Sequence, residues 1–234
     1  MFKVDELKPV RRMWVKLSGV PGNRKGWTLD DCTIVDSKVM ERVKQWLGYL
    51  ASDEVIRADG SRRCGKGLLL WGEPGHGKTT LALSIIQELM TKAELKTFKP
   101  GGHSLIRPCY FSTFNYILAL KGKVIDGTIT EDESLILKGM MGECEDDAYN
   151  IRVLIIDDLG KEHTTLSGWQ SSVFHDILRT RFHHGLPTIV TTNIRLENWA
   201  SEYGDATESF ANEAMYYLAV VTDNDLRKIG RAHV

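Results

Sequence analysis

Gly72-Glu73-Pro74-Gly75-His76-Gly77-Lys78-Thr79 satisfies G-x-x-x-x-G-K-[ST] at every fixed position. The residue types suit one task. Glycines let backbone N–H groups approach phosphate oxygens, a helix starting near Lys78 aims its positive dipole end at them, and the Lys78 ammonium neutralises β/γ charge. The Thr79 hydroxyl is placed to bind Mg²⁺, and Thr80 follows it on the same turn. A chance glycine-rich turn would lack the apolar run before the loop and the helical pattern after it.

Two further groups complete a possible reaction centre. Val153-Leu154-Ile155-Ile156 reads as a buried strand from whose end Asp157 and Asp158 emerge. The first acid suits Mg²⁺ held through water, and the second suits orienting or deprotonating an attacking water. A second carboxylate favours hydrolysis over phosphate transfer to another substrate. Thr191-Thr192-Asn193 closes another apolar run, where the Asn193 amide could sense a γ-phosphate; the plainer reading is an asparagine opening a turn.

These groups need strands to carry them. Leu68–Trp71, 107–114, 151–158 and 186–193 are strand candidates. Thr79–Met90, the segment NYILALKGKVI and 166–182 are helices, the last with Leu166, Trp169, Val173 and Ile177 on one stripe. An earlier helix carries Val39, Val43, Trp46, Leu47 and Leu50 on one face with Ser37 as its N-cap, while DGTITEDES reads as a loop. Alternation of strand and helix, with polar groups at strand ends, implies a parallel sheet with a ligand site along its carboxyl edge.

Composition narrows the class. The chain has 234 residues, 42% hydrophobic and 26% charged, enough for one ordinary core. No apolar run reaches the roughly 20 residues of a membrane span and the start has no signal-peptide core, so a cytoplasmic location is expected. Cys32, Cys64, Cys109 and Cys144 lie far apart with no C-x-x-C pair, which encodes neither a zinc site nor a disulfide framework. The net charge of −1 hides an asymmetry: residues 1–66 hold 14 Lys/Arg against 9 Asp/Glu, and residues 196–234 hold 3 against 7. An anionic partner such as nucleic acid would favour the first third of the chain.

Taken in order, Gly72–Thr79, LIIDDLGKE (154–162), Trp169, RTRF (179–182) and PTIVTTN (187–193) resemble the AAA+ ATPases of the bacterial and phage replicative helicase loaders, with transposition helper ATPases as near relatives. The resemblance runs from GWTLDDC to about residue 195. It implies a P-loop NTPase fold, an α/β αβα sandwich with a five-stranded parallel sheet and a small C-terminal helical lid. It also implies ATP and Mg²⁺ as cofactors, self-association on ATP or DNA, single-stranded DNA as ligand and a hexameric replicative helicase as partner. Arg227, in DNDLRK, sits near the family's lid arginine.

Two departures shape the expectation. Residues 1–30 form an arm ahead of a core at 31–234, where the family usually has a separate helicase-docking domain. Trp14 either docks a partner or packs the arm onto the core. The family's arginine-finger segment matches ESFANEAM (208–215), with Ser209 and Glu213 where arginines belong, and residues 196–226 contain no Lys or Arg. A slow ATPase, or one completed by a partner's arginine, is expected, in a specialised phage-borne form.

Candidate DNA contacts are Arg57, Arg62, Arg63 and Lys66, with a second set of Phe111, Phe114, Tyr116, Lys121 and Lys123. Phe111 and Phe114 fit a core better. The alternatives are a transposition helper that assembles on DNA, a nucleotide-gated adaptor with little hydrolysis, and a P-loop kinase, which the paired acids and Asn193 disfavour.

Overall fold

The computed structural model describes residues 8–24, 28–32, 36–51, 65–91, 109–146, 149–160 and 168–221. Five strands, β1 (Gly67–Trp71), β2 (Cys109–Thr113), β3 (Val153–Leu159), β4 (Thr188–Thr192) and β5 (Met215–Ala219), form one sheet in the order β2-β3-β4-β1-β5. Every pairing is parallel. A parallel sheet needs crossovers, and these lie on both faces. Helices α1 (Lys8–Leu17), α2 (Ser37–Ala51) and α3 (Lys78–Thr91) contribute to one face; α4 (Phe114–Ile125), α5 (Glu131–Met141), α6 (Gly168–His183), α7 (Trp199–Tyr203) and α8 (Asp205–Ala214) contribute to the other.

Strand pleat divides the core between those faces. Leu68, Leu70, Val153, Ile155, Ile189 and Leu218 pack with α2 and α3. Leu69, Leu154, Ile156 and Val190 turn the opposite way, towards Phe114, Phe174 and Trp199. Successive residues alternate sides, as the two-residue strand period demands. On the second face Phe174 meets Phe114, Trp199 and Tyr203 at ring separations of 5.3–5.6 Å, which ties α4, α6 and α7 together.

Several sequence expectations need correction. The helix at 37–51 is capped by Asp36, whose Oδ1 accepts from the Lys38 N–H at 2.7 Å, one residue ahead of Ser37. DGTITEDES is only partly a loop. Thr130 and Glu133 form a capping box, and three acids in the first turn of α5 face its positive dipole end, so polar residues begin a helix there. Trp169 is exposed, because α6 begins beyond the carboxyl edge of the sheet; the buried stripe is Val173, Phe174, Ile177, Leu178 and Phe182. ESFANEAM, the stretch that matches the arginine-finger segment, lies in α8 and runs into β5, a strand that sequence periodicity did not reveal. The expected C-terminal lid and Leu166 lie outside the described residues.

The described part of the arm is built into the domain. Trp14 is buried in the same cluster as Val43, Trp46, Leu68 and Leu70, and the Phe111 N–H on edge strand β2 donates to the Ser18 carbonyl at 2.7 Å. Packing is therefore where Trp14 spends its surface.

At the amino edge of the sheet, Arg181 is fully buried. Its guanidinium donates to the carbonyls of Met140, Ile151, Arg152 and Pro187 and to Thr188 Oγ1, and among the described residues none of its partners is a carboxylate. Burial lowers its pKa to about 9, which still leaves it charged at neutral pH. The nearby Cys109 thiol is pushed up to about 12 by burial and stays protonated.

Arg181 thus satisfies carbonyls from the α5 end, β3 and the β4 entry at once. Arg181→Met strands those acceptors, each costing about 1–3 kcal/mol when left without a donor. Some will find water, so a net loss of about 3 kcal/mol is expected, or a melting point lower by about 10 °C for a domain of this size. Arg181→Lys, with one compact ammonium, should also melt early. A thermal melt of Arg181→Met within about 2 °C of the parent would defeat this account.

Candidate nucleotide site

The site forms where β1 ends between β4 and β5. Gly72 donates its N–H to the Thr192 carbonyl at 3.3 Å, and a side chain there would run into the Val220 carbonyl oxygen. Gly75 and Gly77 hold φ of 90° and 85°, the left-handed region that glycine enters without strain. The loop then passes into α3, whose helix begins at Lys78 and so presents its first N–H groups to the loop. Glu73 and Pro74 stand exposed on its outer side, and Gly75, His76, Gly77, Thr79 and Thr80 are half-buried.

Lys78 is only 6% exposed. Its ammonium donates to the Gly72 carbonyl at 2.7 Å, to the Glu73 carbonyl at 3.0 Å and to Asn193 Oδ1 at 2.7 Å. The loop lysine and the amide at the end of β4 are therefore in direct contact across 115 residues of sequence. Asn193 is itself steadied, because the Trp71 indole N–H donates to its carbonyl at 3.1 Å.

Asp157 is buried at the end of β3. The Thr79 hydroxyl donates to its Oδ1 at 2.9 Å, and the Thr191 hydroxyl donates to the same oxygen at 2.6 Å. A hydroxyl and a carboxylate this close are hard oxygen donors of the kind that holds Mg²⁺ alongside phosphates and water, so the residues present fit that ion. Among the described residues no cluster of three or more His, Cys, Asp or Glu could hold a metal, and Cys32, Cys109 and Cys144 are not joined by disulfides. Asp158 follows with φ of 56°, the one non-glycine residue at positive φ among the described residues.

Lys78, Thr79, Asp157, Asp158 and Asn193 lie along one edge of the sheet. Trp71 and Thr191 were not foreseen as parts of it. Trp71 read only as the end of an apolar run, and Thr191 only as a strand residue before Asn193. Both act through bonds across strands, which local spacing does not carry.

The proposed DNA contacts are another matter. Arg57, Arg62 and Arg63 fall outside the described residues, as does Arg227. Phe114 is buried at 1% exposure and Phe111 packs against the core, so neither offers a free ring for stacking. Lys123 is paired with Glu133, whose carboxyl the ammonium holds below its usual range. Lys121 and Lys123 lie in the last two turns of α4, away from the carboxyl edge where that helix begins. Tyr116 is exposed in its first turn, and Lys66 lies 4.7 Å over the Tyr216 ring.

The model of the ATPase family associated with various cellular activities (AAA) matches residues 68–194. The chain is similar in fold to the crystal structure of the DnaC helicase loader, at 24% identity over 86% of this chain and 100% of that one, TM-score 0.57. It is similar also to the crystal structure of DnaI, at 19% identity over 92% and 99%, TM-score 0.58. A third likeness is to AMPPCP-bound DnaA from Aquifex aeolicus, at 18% identity over 89% and 56%, TM-score 0.54. No curated protein matches the sequence. A family match across more than half of the residues, carried on a sheet of this order, leads to one conclusion: the chain belongs to the AAA family of ATPases.

Proposed function

We propose that this protein is an ATP-dependent helicase loader, which uses ATP binding and hydrolysis to place or remodel a hexameric replicative helicase on single-stranded DNA. The observation that carries the reading is the extent of the likeness to the DnaC helicase loader, which spans all of that chain and most of this one. The DnaI likeness has the same extent. A DnaA structure similar in fold is described as bound to AMPPCP and single-stranded DNA, which supports a nucleotide and a single strand as ligands here.

In this reading Lys78 leaves the Gly72 and Glu73 carbonyls to meet the β- and γ-phosphates. Thr79 and Asp157 would hold Mg²⁺, which would supply positive charge against the phosphates. Asp158 orients the attacking water and takes up its proton, and Asn193, already touching Lys78, registers whether a γ-phosphate is present. Ser209 and Glu213 are exposed on α8 and supply no cation to a neighbour's nucleotide. Arginines of that kind are worth about 10³–10⁵ in rate in well-studied phosphoryl transfer, so hydrolysis awaits a partner.

Two measurements test this. The isolated protein should turn over ATP more slowly than about 1 s⁻¹, and Lys78→Ala should abolish nucleotide binding; faster turnover removes the need for a completing partner. Size exclusion with light scattering, on a mixture with the replicative helicase of the cell that makes this protein, should give a defined complex whose stoichiometry or stability changes with Mg-ATP. No association with or without nucleotide would overturn the loader reading and favour the transposition helper.

A further inference from the structure

The two acids of the site are adjacent in sequence, and a regular strand would send their side chains to opposite faces. The β3–β4 register departs from that regular pattern at these two residues. Ile156 pairs with Val190, but the next pair is Leu159 with Thr192, so Asp157 and Asp158 together face the single residue Thr191. Two residues against one is a β-bulge, a device that re-aims side chains beside active sites. It places Asp158 at a φ of 56°, a conformation that aspartate holds only when its surroundings impose it.

Thr191 is fully buried, and its hydroxyl touches both halves of the bulge. It accepts from the Asp158 N–H at 2.9 Å and donates to Asp157 Oδ1 at 2.6 Å. One hydroxyl has one proton to give and lone pairs to receive, and here each is used on a different acid. The bond to Asp158 ties the backbone of the bulge to β4. The bond to Asp157 fixes the carboxylate on the oxygen that Thr79 also reaches.

We infer that Thr191 is a positioning residue, whose hydroxyl locks the bulge and so sets Asp157 for Mg²⁺ and Asp158 for water. Its hydroxyl acts through the two acids it bonds. This inference rests on the ATPase reading of the same site.

The test uses the full chain with Thr191→Val, which keeps the shape and removes both bonds, and Thr191→Ser, which keeps both bonds. Thr191→Val should lower kcat by about tenfold or more and raise the Mg²⁺ needed for half-maximal activity several-fold, the range seen when partners of metal ligands are removed. Its affinity for a fluorescent ATP analogue in EDTA should stay within about twofold, since the phosphate loop is untouched, and Thr191→Ser should return kcat to within about threefold of the parent. Thr191→Val with unchanged kcat and unchanged Mg²⁺ dependence, or Thr191→Ser as impaired as valine, would overturn the inference. If the valine variant fails to fold, Thr191→Cys takes its place, because a thiol is a weak donor and acceptor; equal activity of the cysteine and serine variants would then count against it. If the parent binds nucleotide but hydrolyses none, the ATPase reading fails by itself. The inference is then read from binding alone: Mg²⁺ should tighten analogue binding by the parent and the serine variant but not by the valine variant. A parent that gains nothing from Mg²⁺ would end it.

Discussion

Three backbones converge at the end of β1 with no room for a side chain between them. Gly72 N–H takes the Thr192 carbonyl, the Trp71 carbonyl takes the Val220 N–H at 2.6 Å, and the Val220 oxygen closes the remaining space beside Gly72. That closeness decides where the phosphate loop leaves the sheet. It brings Lys78 within reach of Asn193 and leaves Trp71 over the back of the same asparagine. A wider crossing would separate the lysine from the residue that reports on its ligand.

The buried charges are handled in opposite ways at the two edges of the sheet. At the carboxyl edge, Lys78 and Asp157 are bound to groups that can exchange partners: loop carbonyls, an amide and two hydroxyls. At the amino edge, Arg181 is bound to four main-chain carbonyls and the Thr188 hydroxyl. A guanidinium spreads its charge over five donors in a fixed fork, which suits permanent fastening. One edge is thereby free to rearrange around a ligand while the other keeps strand ends and helix ends in place.

Much of this was legible in the sequence. Gly72–Thr79 and the run from Val153 to Asp158 announce both their conformation and their chemistry, because glycine geometry, strand burial and charge at a strand end are local properties. The stripe through Val43 and Trp46 was equally plain. What escaped depends on distant partners or on balanced local signals. Thr191 acquires meaning only opposite a bulge in another strand. Met215–Ala219 is short and half exposed, so its alternation is faint without β1 beside it. The start of α5 was hidden by its own capping residues, whose polarity imitates a loop.

The contact between Ser18 and Phe111 carries a consequence of a different kind. β2 is a border strand of the sheet, and an uncovered border offers unpaired amides to any other extended chain. Here the segment after α1 lies along that border, its carbonyl on the Phe111 amide and Gly19, at φ of 71°, pressed against the Phe111 oxygen. The N-terminal segment is thus part of the molecule's defence against sticking to itself. Removing it would take Trp14 out of the core and at the same time bare the Phe111 amide on that border, so lost packing and an open edge would arrive together.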